Sequence, residues 1–143
     1  MRLDEAEARR RFAGSRVARL ATADAAGRPH LVPVVFVVSG DRIYTAVDAK
    51  PKSTTDLRRL ANARANPPVS LLTDHYADDE WEALWWARAD GEARVLAPDD
   101  PEAAAAVIAL ARRYPQYQEH PPTGPVLAID VRTWRGWAAR PPS

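Results

Sequence analysis

The chain has 143 residues, of which 46% are hydrophobic and 27% are charged, the size and composition of one globular domain. Its 20 basic and 19 acidic side chains leave a formal charge of +1, which argues against a protein that holds nucleic acid by bulk electrostatics. The absence of cysteine excludes disulfides and thiolate metal sites.

The apolar segments of the chain are short. The longest, residues 31–38, could not cross a bilayer as a helix. The charged N-terminal segment 1–7 lacks the apolar stretch of a secretory signal peptide. We therefore expect a cytoplasmic location and no membrane partner.

Six strands and three helices are predicted from the periodicity of apolar residues and from turn signals. In chain order they are a helix over 4–12, strands over 16–22, 30–38 and 42–47, a helix over 53–66, strands over 69–74 and 82–96, a helix over 102–113 and a strand over 126–131. Residues 114–125 are predicted to form a Pro-rich loop, and residues 134–137 a tail. Mostly antiparallel strands with helices between them predict a mainly β protein, a barrel with helices on its outside.

Two of these strands carry a predicted irregularity. Pro33 lies within the strand 30–38 and cannot donate to a ladder, so it marks a bulge or an unpaired edge. The strand 82–96 is expected to kink at Asp90 and Gly91, because a glycine inside a strand favours a bulge.

Only two of the basic residues are lysines, and both, Lys50 and Lys52, fall between a predicted strand and a predicted helix. Ser53, Thr54 and Thr55 follow them. Ammonium groups, hydroxyls and the free N–H groups of a helix start together suit a phosphate. The alternative is an ordinary helix cap beside two solvated lysines. No glycine-rich loop is present, which argues against a nucleoside triphosphate site.

Trp85 and Trp86 are adjacent on a predicted strand, with Arg88 close by. Because successive side chains of a strand point to opposite faces, at most one of the two indoles enters the core. The other covers a helix, a ligand or a partner subunit. Trp134 and Trp137, three residues apart in the tail, pose the same question.

The three histidines, His30, His75 and His120, are isolated in the sequence. None has a metal-type spacing to another histidine or to an acidic residue. The sequence therefore predicts no metal site.

Segments along most of the chain resemble the pyridoxamine 5′-phosphate oxidase-like superfamily. Residues 19–44 carry the strings RLAT, GRPH, LVPVVF and GDRIY, and the lysine-containing segment, ANP (65–67) and VSLL (69–72) follow in the same order. The strings DHY (74–76) and LWWARADG (84–91) are similar in particular to F420-dependent oxidoreductases of actinobacteria in this superfamily.

The resemblance implies a single α+β domain over residues 1–143, a six-stranded antiparallel split β-barrel, that forms a homodimer with coenzyme sites at the subunit interface. In similar proteins the coenzyme's phosphate lies after the third strand, its ring lies along the second and third strands, and the long strand lies near the interface. The corresponding residues here are Lys50, Lys52, Ser53 and Thr54 for the phosphate, Pro33, Val34, Val35 and Thr45 for the ring, and Trp85, Trp86 and Arg88 for the interface, with Trp137 in the same region. Trp85 and Arg88 are also predicted to contact the coenzyme.

The chemistry that the resemblance implies is hydride transfer between the deazaflavin coenzyme F420 and an unsaturated small-molecule substrate. The coenzyme carries such a reaction, and the protein orients it and excludes water. Arg88, His75 and Tyr44 are candidates for polarising a substrate, although each also has a structural interpretation, so no catalytic residue is assigned. The alternatives are an FMN-dependent oxidoreductase and a non-enzymatic carrier of a flavin, a haem or another tetrapyrrole.

Overall fold

The computed structural model describes residues 1–47 and 54–141. The strands in these residues are β1 (Arg2–Leu3), β2 (Ala18–Ala23), β3 (Pro29–Val34), β4 (Val37–Ser39), β5 (Arg42–Ala46), β6 (Pro68–His75), β7 (Trp85–Leu96) and β8 (Val126–Ala138). The α-helices are α1 (Glu5–Gly14), α2 (Thr54–Ala65), α3 (Pro101–Arg113) and α4 (Pro115–Glu119), and a single 3₁₀ turn covers Trp81–Ala83.

All of these strands belong to one antiparallel sheet in the order β3-β2-β6-β7-β8-β5-β4, and β1 pairs with β8. The predicted mainly β architecture with helices is confirmed. The sheet has eight strands where we predicted six. One addition is β1, whose two residues are too few to show a period. The other arises because the predicted strand 30–38 is two strands, β3 and β4.

The division between β3 and β4 falls at Val35 and Phe36. β3 pairs with β2 at one end of the sheet, and β4 pairs with β5 at the other. The backbone groups at the break are bound by side chains, as buried polar groups require. Thr45 Oγ1 donates to the carbonyl oxygen of Val35 over 2.8 Å, and the hydroxyl of Tyr114 lies 2.9 Å from the carbonyl oxygen of Phe36. Pro33 lies on β3, so its predicted position on an edge is confirmed.

The predicted irregularity at Asp90 and Gly91 is also confirmed. Asp90 pairs with Thr133 and Gly91 with Val131, so Arg132 is an extra residue in β8. A Cβ atom on Gly91 would collide with a backbone carbonyl oxygen of β8, and glycine is therefore required at this close approach.

The bulge explains why we predicted β8 too short, as residues 126–131. Before Arg132 the inward residues of β8 are odd-numbered, such as Leu127 and Ile129, and after it they are even-numbered, such as Trp134 and Ala138. One extra residue shifts the alternation, and the period-2 pattern of a strand is lost from the sequence. The predicted loop 114–125 likewise contains α4.

Two apolar clusters lie on opposite sides of β5 and β8. In the first, Phe12 of α1 packs against Phe36 and Trp134, with ring centroids 4.9 Å and 5.4 Å apart. In the second, α3 and α4 cover β5 and the first half of β8 through buried residues such as Leu110 and Val126. The outer face of the sheet is the one that carries the second cluster, and α3 and α4 cover only part of it.

Candidate functional site

An open face is formed by the outward-pointing residues of β3, β2, β6, the first half of β7 and the last half of β8. None of these side chains is fully buried. Its members are Leu31, Pro33, Arg19, Ala21, Ser70, Leu72, Trp86, Arg88, Asp90, Thr133, Arg135 and Trp137. Leu31, on β3, is 67% exposed and Leu72, on β6, is 39% exposed, so this face presents two large apolar side chains to solvent.

One row of the open face joins two of the predicted coenzyme contacts. Pro33 lies opposite Arg19, Arg19 opposite Leu72, Leu72 opposite Arg88, and Arg88 opposite Arg135. Three strand spacings separate Pro33 from Arg88, or roughly 14 Å. The structure therefore places both residues on one surface, together with two further arginines. Sequence reasoning missed Arg19, because only the pairing register shows that it lies between Pro33 and Leu72.

A cavity of about 680 Å³ lies at the β8 end of the open face. Trp86 and Trp137 are cross-strand neighbours that both line it, and Arg88 and Arg135 are the next pair along the two strands. The Arg88 guanidinium lies 5.6 Å from the ring centroid of Trp86, and its Nε donates to Asp90 over 3.0 Å. Asp4, which caps α1, and Glu5 also line the cavity. Indole surface next to several guanidinium groups suits a planar ligand that carries negative charge.

A second cavity, of about 510 Å³, lies on the other side of Asp90 and is lined by small and apolar residues such as Ala21 and Pro29. Burial would raise the pKa of the Asp90 carboxyl, but hydrogen bonds from Ser70, over 2.6 Å, and from Arg88 hold that pKa below its ordinary value. The carboxylate therefore remains ionised and fixes the position of Arg88 on the open face.

Trp85 and Trp86 point to opposite faces, as predicted for neighbours on a strand. Trp85 packs against the first apolar cluster, and the guanidinium of Arg11 lies 5.6 Å from its ring centroid. Of these two indoles, Trp86 is the one that lines the cavity of the open face. The predicted contact between Trp85 and a coenzyme stays a prediction.

The predicted ring contacts on β3 and β5 form a separate group. Val34 is buried in the first cluster, Val35 packs against the second, and Thr45 is buried and bonded to Val35. Thr45 lies opposite Leu127, which lies opposite Val95 of β7. Val95 is seven residues from Arg88, or roughly 23 Å along the strand. Within one chain, Thr45 and Arg88 are therefore too far apart to touch the same ring.

The predicted phosphate contacts Lys50, Lys52 and Ser53 lie outside the described residues, and Thr54 is the first residue of α2. On the other side, β5 ends at Ala46. The segment thus joins a strand end to a helix start, as predicted, and its binding of phosphate stays a prediction.

The other candidate polar groups occupy structural or exposed positions. The Tyr44 hydroxyl donates to Glu102 of α3 over 2.7 Å, and burial together with this hydrogen bond raises the pKa of Tyr44. His75 is exposed at the end of β6, opposite Trp85. Of the three candidates for polarising a substrate, Arg88 lines the cavity of about 680 Å³ on the open face.

Two features are absent from the described part of the chain, residues 1–47 and 54–141. No helix there is long and apolar enough to cross a bilayer. No group of three His, Asp or Glu side chains there is placed to hold a metal ion.

Solved structures share this architecture along almost the whole chain. A conserved hypothetical protein of Mycobacterium tuberculosis is 26% identical with a TM-score of 0.74, and the match covers 96% of this chain and 86% of that one. A FAD-binding protein of Mesorhizobium loti is 21% identical with a TM-score of 0.72 and 95% of each chain covered. The haem storage protein HutZ of Vibrio cholerae is 17% identical with a TM-score of 0.70 and 95% of each chain covered.

These likenesses and the sheet topology confirm the predicted split β-barrel, with eight strands in place of six. No curated protein matches the sequence. The family model of pyridoxamine 5′-phosphate oxidase matches residues 4–138. Because that match spans nearly the whole chain, this protein belongs to the pyridoxamine 5′-phosphate oxidase family.

Proposed function

We propose that this protein is an oxidoreductase that transfers a hydride between the deazaflavin coenzyme F420 and an unsaturated small molecule. The observation that carries the proposal is the open face, where the neighbouring indoles of Trp86 and Trp137 lie beside the arginine row at the cavity of about 680 Å³. A planar ring with an acidic tail matches this surface in shape and charge. The FAD-binding proteins of Mesorhizobium loti and Mycobacterium smegmatis share the fold and support a ligand of the flavin type.

We further propose that the active form is a homodimer whose coenzyme lies between the two copies. The two groups of predicted contacts, around Thr45 and around Arg88, are too far apart in one chain to hold one ring. A second copy seated on the open face would bring one group against the other. The same contact would remove the exposed side chains of Leu31 and Leu72 from water, which stabilises association.

In this arrangement the chain's own residues bind and orient, and F420 supplies the hydride chemistry when it is bound. Arg88, held by Asp90, would carry the positive charge nearest the ring. Trp86 and Trp137 would exclude water from one side of it. We assign no residue as a proton donor.

Two alternatives are tested together with the main proposal. An FMN-dependent oxidoreductase would use the same fold, and the FAD-binding neighbours favour a flavin. A carrier without enzymatic activity is favoured by the haem storage protein of Vibrio cholerae. A carrier would bind a coenzyme or a tetrapyrrole but would not turn over any acceptor.

The test compares the affinities of the purified protein for F420 and for FMN, by absorption and fluorescence, and then follows oxidation of reduced F420 with a panel of enones, quinones and bilins. We expect tighter binding of F420 and turnover of at least one acceptor. Tighter binding of FMN would favour the flavin alternative, and binding without turnover would favour the carrier.

The same titration tests the phosphate site with the double variant Lys50→Ala, Lys52→Ala. Charge-assisted hydrogen bonds contribute about 1.5–3 kcal/mol each, so we expect the affinity for F420 to fall at least about tenfold. Arg112→Gln, which removes an exposed charge from α3, is the matched control and should bind normally. An unchanged affinity in the double variant would place the phosphate elsewhere.

A further inference from the structure

A small polar cavity of about 150 Å³ lies between α2 and the turn that joins β2 to β3. It is lined by Asp24, Arg28, Pro29, His30, Arg58 and Asn62. A water molecule occupies about 30 Å³ in the liquid, so the cavity has room for one phosphate or carboxylate group. It shares Pro29 with the second cavity, but His30 lies opposite Thr22, whose side chain is buried and so points away from the open face.

The charges in this cavity leave cationic groups available. Asp24 Oδ1 accepts hydrogen bonds from the backbone N–H groups of Arg28, over 2.8 Å, and Ala26, over 2.9 Å. These backbone bonds, the one from Arg28 first, lower the pKa of Asp24, and the charges of Arg28 and Arg58 lower it further. Among the side chains of residues 1–47 and 58–141, neither guanidinium forms an ion pair.

The neutral groups of the cavity also have unused hydrogen-bonding capacity. Nδ1 of His30 is buried and has no hydrogen-bond partner among the described residues. Asn62 donates one amide hydrogen to Thr22 over 3.0 Å, and its second N–H remains for another partner. Buried polar groups are nearly always bonded, so this ring nitrogen is an unmet hydrogen-bonding requirement in a residue that lines the cavity.

We propose that Arg28, His30, Arg58 and Asn62 bind an acidic group, a carboxylate or a phosphate, that the coenzyme carries beyond its first phosphate. This inference rests on the proposed function, in which the first phosphate lies at the start of α2. Arg58 and Asn62 are four and eight residues after Thr54, or roughly 6 Å and 12 Å along the helix axis. The acidic tail of F420 can extend that far, whereas FMN ends at its single phosphate. The cavity is therefore a determinant of coenzyme choice.

The test measures the affinities of Arg58→Gln for F420 and for FMN, with Arg112→Gln as the matched control. Arg58 and Arg112 are both exposed helix arginines, so a general effect of lost charge would appear in both variants. We expect Arg58→Gln to weaken F420 binding at least about tenfold and to leave FMN binding unchanged, and Arg112→Gln to alter neither. Equal losses for both coenzymes, or no loss for either, would overturn the proposal.

A readout without coenzyme separates this inference from the proposed function. The chain has three histidines, so the imidazole nitrogens of His30 can be assigned by NMR with a His30→Gln variant and followed as inorganic phosphate is added. If the wild type binds neither coenzyme, the proposed function fails. A phosphate-dependent shift of His30 that Arg58→Gln abolishes would then assign the cavity to free phosphate, and the absence of any shift would remove the oxyanion site as well.

Discussion

The outer face of β7 and β8 has two halves that differ in how their charges are paired. Under α3, Arg94 is bonded to Glu102 over 2.9 Å and to Asp130 over 2.7 Å, so its charge is satisfied within the chain. On the open face, Arg88 forms an ion pair with Asp90 alone among the described residues, and Arg135 forms no ion pair with any of them. Charges of the covered half hold the fold together, whereas those of the open half are available to a ligand or a partner.

The bulge at Arg132 separates these halves and also divides two tryptophans of β8. Trp134 points inward, is 5% exposed and donates its indole N–H to Asp41 over 3.0 Å. Trp137 points outward and is 37% exposed. The same residue type on one strand therefore serves the core in one case and the open face in the other.

The largest effect that this comparison predicts is on stability. Trp134→Ala should lower the free energy of unfolding by about 3–5 kcal/mol, the usual cost of removing a buried aromatic ring. Trp137→Ala should cost less than about 1 kcal/mol in the monomer. Urea unfolding measures both. Similar losses in the two variants would contradict the assignment of the two rings to opposite faces.

The next effect is on assembly. A carboxylate placed in the middle of the open face, Leu72→Asp, should cost at least about 2 kcal/mol of association, as at the centre of other interfaces. Light scattering at micromolar concentration should then show a monomer in place of the proposed dimer. Ile108→Asp, at a 55% exposed position on α3, is the control and should leave the mass unchanged. A Leu72→Asp variant that keeps the mass of the wild type would show that the open face is not the interface.

A smaller effect distinguishes the neighbours Trp85 and Trp86. Contacts between aromatic rings contribute about 0.5–1.5 kcal/mol, so Trp86→Leu should weaken F420 binding by about twofold to tenfold. Trp85→Leu should lower stability, because the ring packs against the core, and should leave the affinity almost unchanged. A larger loss of affinity in Trp85→Leu would place the coenzyme on the α1 side of the sheet.

The smallest effect concerns the covered half at acid pH. Hydrogen bonds from Arg94, and then from Tyr44, lower the pKa of Glu102 from 4.5 to about 2. Since the folded pKa is below the unfolded one, this stabilisation is complete above pH 4.5 and is lost as the pH falls towards 2. Glu102→Gln should therefore lower stability at pH 7 by about 1 kcal/mol and make it less sensitive to acid.

The control for this pH dependence is Glu92→Gln, which removes an exposed ion pair with Arg132. Its unfolding curve between pH 2 and 7 should parallel that of the wild type. An acid response of Glu102→Gln equal to that of the wild type would mean that the network around Arg94 does not account for the low pKa of Glu102.

Local signals in the sequence predicted the elements well where a residue's own chemistry decides the structure. Pro33 cannot donate a hydrogen bond and lies on an edge strand, and Gly91 lies at the bulge. The split at Val35 and Phe36 could not be predicted, because the apolar run continues through it. The end of β8 was also missed, since the extra Arg132 reverses the alternation of inward and outward residues.

The candidate site was less accessible to sequence reasoning because it depends on register. Alternation shows that Trp85 and Trp86 face opposite sides, but only the packing of α1 shows which indole lies on the open face. The row from Pro33 to Arg135 likewise crosses five strands, and only the pairing register shows that its residues are aligned.

A crystal structure of the protein with F420 would test the central claim most directly. We predict a dimer in which the deazaflavin ring contacts Trp86 and Arg88 of one chain and lies beside Val35 of the partner subunit. A ring held entirely within one chain, with the open face in contact with solvent, would contradict the account.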